Sequence, residues 1–355
     1  MSPKRSNNVQ NYPYYPQQQT HPQPPRYIPP VLSREEYQSL RYQKGLRKTA
    51  NGLGILMVCF IVLQIVIALV SEFILSENGL MDDLMSFDVL YMLESGMTSS
   101  IIFFTVGLIY CCFRKLRFSS LFPFQKTGAK MLYRLCAIGI ALSLMGNYVV
   151  DLLNNSLGLF GIENSGGVFE TSDNPNILMY FLTVAILPAF VEEFAFRGVI
   201  MGVLRPYSEG LAIFVSSAAF ALMHGNFVQL PFTFCCGLVF AYIDIKANSM
   251  LPSIIVHFLN NGLSVLSDIL TSYKVISDTT ANLIYGAIFV VTGVLAFLAI
   301  RGIIKEKESG WFNLKGGDDI IPFKRKMKTV CTSPAIITFS VIMLVFCVVE
   351  MAVIR

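Results

Sequence analysis

The chain has 355 residues, of which 54% are hydrophobic and 14% charged, with a mean hydropathy of +0.58 and a formal net charge of +4. Soluble domains carry about 25% charged residues, so this composition excludes a soluble globular protein and points to an integral membrane protein. The eight cysteines lie in or beside apolar stretches and lack metal-ligand spacing, so they read as packing residues.

Residues 1–48 read as a disordered Pro/Gln/Tyr-rich cytoplasmic tail. Its first 30 residues are rich in Pro, Gln, Asn and Tyr and have little to bury, the signature of a disordered, partly polyproline tether. No apolar core follows the first basic residues, so a cleaved signal peptide is not expected. Nine apolar stretches then fill residues 49–355, at roughly 52–75, 95–113, 131–153, 176–204, 210–224, 228–246, 250–270, 282–304 and 333–354. A helix crosses the hydrocarbon with about 20 residues. The expected fold is therefore an all-α polytopic bundle of about 8–9 transmembrane helices. The fifth stretch is short. The first, preceded by Arg41, Lys44, Arg47 and Lys48, reads as an uncleaved signal anchor.

Charge placement orients the bundle. With the N-terminus in the cytoplasm and the chain alternating, 24 of the 27 Lys and Arg fall on the cytoplasmic side. The opposite segments are acidic: Glu72, Glu77, Asp82, Asp83 and Asp88, then Glu163, Glu170 and Asp173. The expected location is the plasma membrane, as a multi-pass protein.

Against this apolar background a few polar residues stand at membrane depth. Glu192, Glu193 and Arg197 lie in the fourth stretch, His224 in the fifth, His257 and Asn261 in the seventh. Such residues are costly in hydrocarbon and mark catalytic or ion-handling sites. At 1.5 Å per residue from the cytoplasmic ends, Glu192 lies roughly 20 Å up, His224 roughly 24 Å, Asn261 roughly 18 Å and His257 roughly 12 Å. One layer of the membrane holds them all. Glu193 and Arg197, at i and i+4, face each other as an ion pair, while Glu192 points about 100° away and is left to take a proton. His257 and Asn261 share a face by the same spacing. Pro188, one turn before Glu192, removes a helix hydrogen bond and should kink the span, making room for water or substrate.

The motifs EEFAFR (192–197), FALMH (220–224) and HFLNN (257–261) resemble the EExxxR, FxxxH and HxxxN of the CPBP family. These are the CAAX-protease and bacteriocin-processing glutamic intramembrane endopeptidases related to Rce1. The resemblance covers roughly residues 176–270, about 100 residues, and all three motifs are intact. It implies peptide-bond hydrolysis without a covalent intermediate, on a membrane-embedded or lipidated peptide or protein, with the bilayer as the other partner and no nucleic acid. On that reading Glu192 and His224 hold and deprotonate a water, His257 and Asn261 stabilise the oxyanion, and Glu193 and Arg197 support the site. Phe220 is a packing residue. No cofactor is implied.

Other readings of the same residues stay open. Glu192, His224 and His257 could ligate zinc in a metalloprotease, although no HExxH helix motif is present. A non-proteolytic scaffold or bacteriocin-immunity factor could bind a peptide in the same cavity, and a transporter could relay protons through the carboxylates. Neither a GxSxG-type elbow nor paired intramembrane aspartates suggest serine or aspartyl chemistry.

Overall fold

A computed structural model describes residues 32–77, 96–158, 177–306, 313–318 and 320–353. The tail through residue 31, with His21, and the acidic connectors around 82–88 and 163–173 lie outside the described residues. Ten helices carry the fold: α1 (Arg34–Glu77), α2 (Thr98–Phe113), α3 (Ala129–Gly158), α4 (Ile177–Leu204), α5 (Glu209–Met223), α6 (Gln229–Ala247), α7 (Leu251–Ser272), α8 (Asp278–Lys305), α9 (Phe323–Cys331) and α10 (Pro334–Val353). Among the described residues there is no β-strand, only an isolated bridge between Phe124 and Ser249.

Each of the nine apolar stretches is helical. Six helices (α1, α3, α4, α6, α7 and α8) are long and apolar enough to cross a membrane, and α9 with α10, bent by 65° at their junction, would make a seventh as one broken span. The protein is thus a multi-pass integral membrane protein. The second and fifth stretches, α2 and α5, form helices of 16 and 15 residues, shorter than the about 20 that a straight crossing takes. Large apolar side chains point outward along the spans, for example Leu283 at 71% and Val290 at 62% exposure on α8, as a lipid-facing surface requires.

The first helix starts at Arg34, ahead of the apolar run, so residues 34–48, expected to be disordered, are helical and continuous with the span. A reciprocal cap explains the start: Glu36 N–H donates to Ser33 Oγ at 3.2 Å and Ser33 N–H to Glu36 Oε2 at 2.9 Å. This extension packs on α9, where Gln43 Nε2 donates to Thr329 Oγ1.

Besides a smaller core of Tyr180, Ala185 and Val265 between α4 and α7, the bundle has two main cores. One gathers Phe60 of α1, Phe103 of α2, Phe196 of α4, Phe220 of α5 and Phe339 of α10. The other joins α3, α6 and α7 through Leu135, Leu144, Phe240 and Val256. Helices α5 and α6 cross closely at Gly237, where a Cβ would stand 3.0 Å from the backbone of Ser217. Helix α4 lies between α2, α5 and α7 and carries the motif residues into the interior.

Candidate active site

Helix α4 is built to be irregular. Two of its segments, Leu182–Ile186 and Phe194–Met201, are π-helical and flank the regular turn Leu187–Glu193. Pro188 has no N–H to give the carbonyl of Val184. That carbonyl instead accepts from Asn261 Nδ2 of α7 at 3.0 Å. The helix is irregular on both sides of Pro188, and the Val184 carbonyl fixes one of the candidate residues.

The two glutamates separate as their spacing predicts. Glu193 has a fully buried side chain, and its Oε2 lies 3.2 Å from Arg197 Nε, whose side chain is also fully buried. The contact is one of charge, since its angle falls outside hydrogen-bond geometry. The Arg197 guanidinium lies over the rings of Phe220, at 4.4 Å, and Phe240, at 5.3 Å. Ring faces there take the place of hydrogen-bond acceptors. Glu192 keeps 22% of its side chain accessible and lines a cavity of about 500 Å³.

The helical spacing offers Glu193 one partner, Arg197; a second comes from α7. Glu193 Oε1 sits 2.9 Å from His257 Nδ1, which holds the ring so that Nε2 faces Glu192 Oε2 at 3.9 Å. His257 itself is buried. Behind them Asp244, near the end of α6, is a buried carboxylate that accepts from Ser253 N–H at 3.0 Å and from Ser253 Oγ–H at 2.6 Å. These bonds tie α6 to the first turn of α7 beneath His257.

His224 is placed by the shortness of α5. The helix ends at Met223, and the backbone N–H of His224 turns to the Ala221 carbonyl, leaving the Phe220 carbonyl in the last turn open. His224 Nδ1 reaches it at 2.8 Å, so the ring caps its own helix and turns Nε2 outward. Gly225 follows with φ +65 and lets the chain leave at once.

The cavity is lined by Glu192, His224, His257, Asn261 and also Asn260. Asn260 Nδ2 donates to Asn261 Oδ1 at 3.3 Å, and Asn260 Oδ1 accepts from Asn147 Nδ2 of α3 at 3.2 Å. Neither amide stood out in the sequence, although Asn260 doubles the asparagine of the third motif. All four candidate catalytic residues meet at one cavity; Glu193 and Arg197 lie behind it. Among the described residues no three His, Cys, Asp or Glu side chains converge closely enough to hold a metal ion.

A family described as "Type II CAAX prenyl endopeptidase Rce1-like" matches residues 174–263, the stretch that builds this cavity from α4 to α7. Over those residues the chain is similar to that family. A membrane-embedded CAAX protease of Staphylococcus aureus (strain USA300), MroQ, is 32% identical over 117 residues, 31% of this chain and 47% of that protein. The chain thus matches about half the length of that relative. No solved structure matches the chain. Within the matched residues, Gly198 follows the first motif directly. A Cβ there would run into the ring of Phe122, which stacks on Phe194 at 4.7 Å. The glycine thus lets the connection after α2 lie flat on the helix that carries Glu192.

Proposed function

We propose that the protein is an intramembrane endopeptidase that hydrolyses a peptide bond of a membrane-associated protein or peptide with a water activated by Glu192. The observation that carries this reading is the convergence of Glu192, His224, His257 and Asn261 on one cavity, the two histidines each tied by one ring nitrogen and offering the other, and Asn261 tied through both amide atoms with one Nδ2–H left over. His224, bound through Nδ1–H, presents a lone pair on Nε2 and orients a water between itself and Glu192. Glu192 takes the water's proton as the oxygen attacks the scissile carbonyl. His257, held at Nδ1 by Glu193, turns Nε2 toward the oxyanion as its donor. The second Nδ2–H of Asn261 donates beside it. As the tetrahedral intermediate collapses, the C–N bond breaks and Glu192 returns its proton to the leaving amine. The substrate is membrane-embedded or lipid-anchored, as the name of the relative MroQ and the depth of the cavity both suggest.

The reading uses no metal. The zinc alternative would call on Glu192, His224 and His257, whose side chains do not converge as a ligand set. A scaffold or bacteriocin-immunity role would use the same cavity for binding alone. Comparative membrane proteomics of wild type and Glu192→Gln identifies peptides that lose a cleavage. With such a substrate, Glu192→Gln and His224→Ala should each lose at least about 10²-fold in kcat while folding normally, the usual cost of a lost base or its partner. Full cleavage by both variants would remove Glu192 as base. A function kept by Glu192→Gln in cells would point to the scaffold.

A further inference from the structure

Behind the catalytic cavity lies a second polar cavity, of about 280 Å³, between α3, α7 and α8. Asn147, Asp151, Ser264, Asp268, Asn282 and Tyr285 line it. Polar side chains within membrane helices gather around one another or around water, because hydrocarbon satisfies none of them. These are graded from outside to inside. Asp151, Asp268 and Asn282 are exposed, and Asp268 and Asn282 lie one turn from the end of α7 and the start of α8. Asn147, Ser264 and Tyr285 are half-buried deeper in, where Ser264 Oγ and Tyr285 Oη stand 3.3 Å apart. The mouth is at the end of the bundle opposite Lys130, Arg134 and Lys305.

The inner wall is the amide pair Asn147–Asn260. Asn147 faces the second cavity, and Asn260, to which it donates, faces the catalytic one. Each amide offers both donors and an acceptor, so a water can replace the bond between them without leaving a group unpaired. An apolar wall at this place would be dry. Hydrolysis consumes one water for every bond cut, and a peptide lying in the catalytic cavity blocks the way from its own side. We propose that the α3–α7–α8 cavity is the water inlet of the catalytic site, with Asn147 and Asn260 as the polar septum that water crosses to reach Glu192 and His224. The inlet rests on the peptidase reading and adds to it a route that begins outside the matched residues, at Asn147.

The test combines accessibility with rate, in proteoliposomes. Ser264→Cys and Asn282→Cys should react with a small charged methanethiosulfonate, while Val290→Cys on the lipid face of α8 should not; unsubstituted protein reports the native cysteines. Modification of Ser264→Cys should lower its kcat at least about tenfold with KM within about twofold, because the change lies in water supply and not in peptide binding. Asn147→Leu should show the same split with an unchanged melting temperature. Asn147→Ser, which breaks the amide pair but admits water, should lose far less. An unreactive Ser264→Cys in an active enzyme would show the cavity dry and overturn the inlet. Modified Ser264→Cys with unchanged kcat would also overturn it, and so would equal losses in Asn147→Ser and Asn147→Leu. Failure of the peptidase reading itself shows differently, as a wild type that cleaves nothing.

Discussion

Replacing Arg197 by methionine would leave the Glu193 carboxylate in a site without solvent contact. Removing one member of a buried pair costs about 3–5 kcal/mol. His257 Nδ1 remains at 2.9 Å as a second partner for Glu193, which sets the cost at the lower end, about 3 kcal/mol. Loss of the guanidinium over Phe220 and Phe240 adds about 1 kcal/mol. Methionine fills most of the volume, so little cavity cost is added. At a few degrees per kcal/mol, Arg197→Met should melt on the order of 10 °C below wild type. The readout is circular dichroism at 222 nm in nanodiscs, beside hydrolysis of a verified substrate. Adding Glu193→Gln should recover about half of the drop by deleting the orphaned charge, without recovering activity, because the charge that holds His257 is gone as well. Glu192→Gln, at the cavity wall, should neither melt early nor rescue Arg197→Met. Rescue by Glu192→Gln in place of Glu193→Gln would show that the pairing, and the choice of base, are reversed.

Glu306 takes both Arg134 nitrogens, at 2.8 and 2.9 Å, and Lys130 at 2.6 Å, and these hydrogen bonds, Arg134's first, hold its carboxyl down at about 2. Its contribution is therefore whole above the ordinary value of 4.5 and lost as pH falls through 2. The melting gap between wild type and Glu306→Gln should be flat at neutral pH and close on acidification below 4.5; a gap that widens there refutes the clamp. Gly198→Ala should cost about 1–3 kcal/mol through its clash with Phe122, and Phe122→Ala should relieve it; additive losses in the double variant would place the strain elsewhere. Purified enzyme dialysed against EDTA or phenanthroline should keep its rate, and activity lost and then restored by zinc would favour the metal-centred reading.

The sequence showed what each helix lacks or carries; it did not show what would meet it. The i, i+4 spacing of Glu193 and Arg197 was enough to split the two glutamates, since both residues belong to one helix. The bond from Glu193 to His257 was not legible, because it depends on how α7 is rotated against α4, which no periodicity within either helix reports. Asp244 escaped notice for a related reason. It precedes Lys246 at the basic end of α6 and reads as a surface acid, yet α7 folds back over it and Ser253 caps it. The shortness of α5 was visible as a count of apolar residues. Its consequence, a helix whose last turn is closed by the ring of His224, needed the three-dimensional path of the chain.

Pro188 turns this relation between local deficit and distant partner into a last prediction. Three of the cavity side chains are fixed by bonds to the framework: His224 to the Phe220 carbonyl, His257 to Glu193, and Asn261 to the Val184 carbonyl and Asn260. The Val184 carbonyl is open to Asn261 because residue 188 has no N–H. Pro188→Ala returns that donor. The helix then competes for its own carbonyl, and a regular bond there would stabilise α4 while freeing the Asn261 amide to rotate. The expected variant melts no lower than wild type and shows kcat reduced about tenfold with KM little changed, the pattern of an interaction made only in the transition state. Most helix prolines replaced by alanine would give the stability without the loss of rate. If Pro188→Ala keeps full kcat, the bond from Asn261 to Val184 is a packing contact and the oxyanion is held by other donors. If it unfolds, the proline is needed to bend α4 around α2 and α7, and the carbonyl it leaves open is incidental to catalysis.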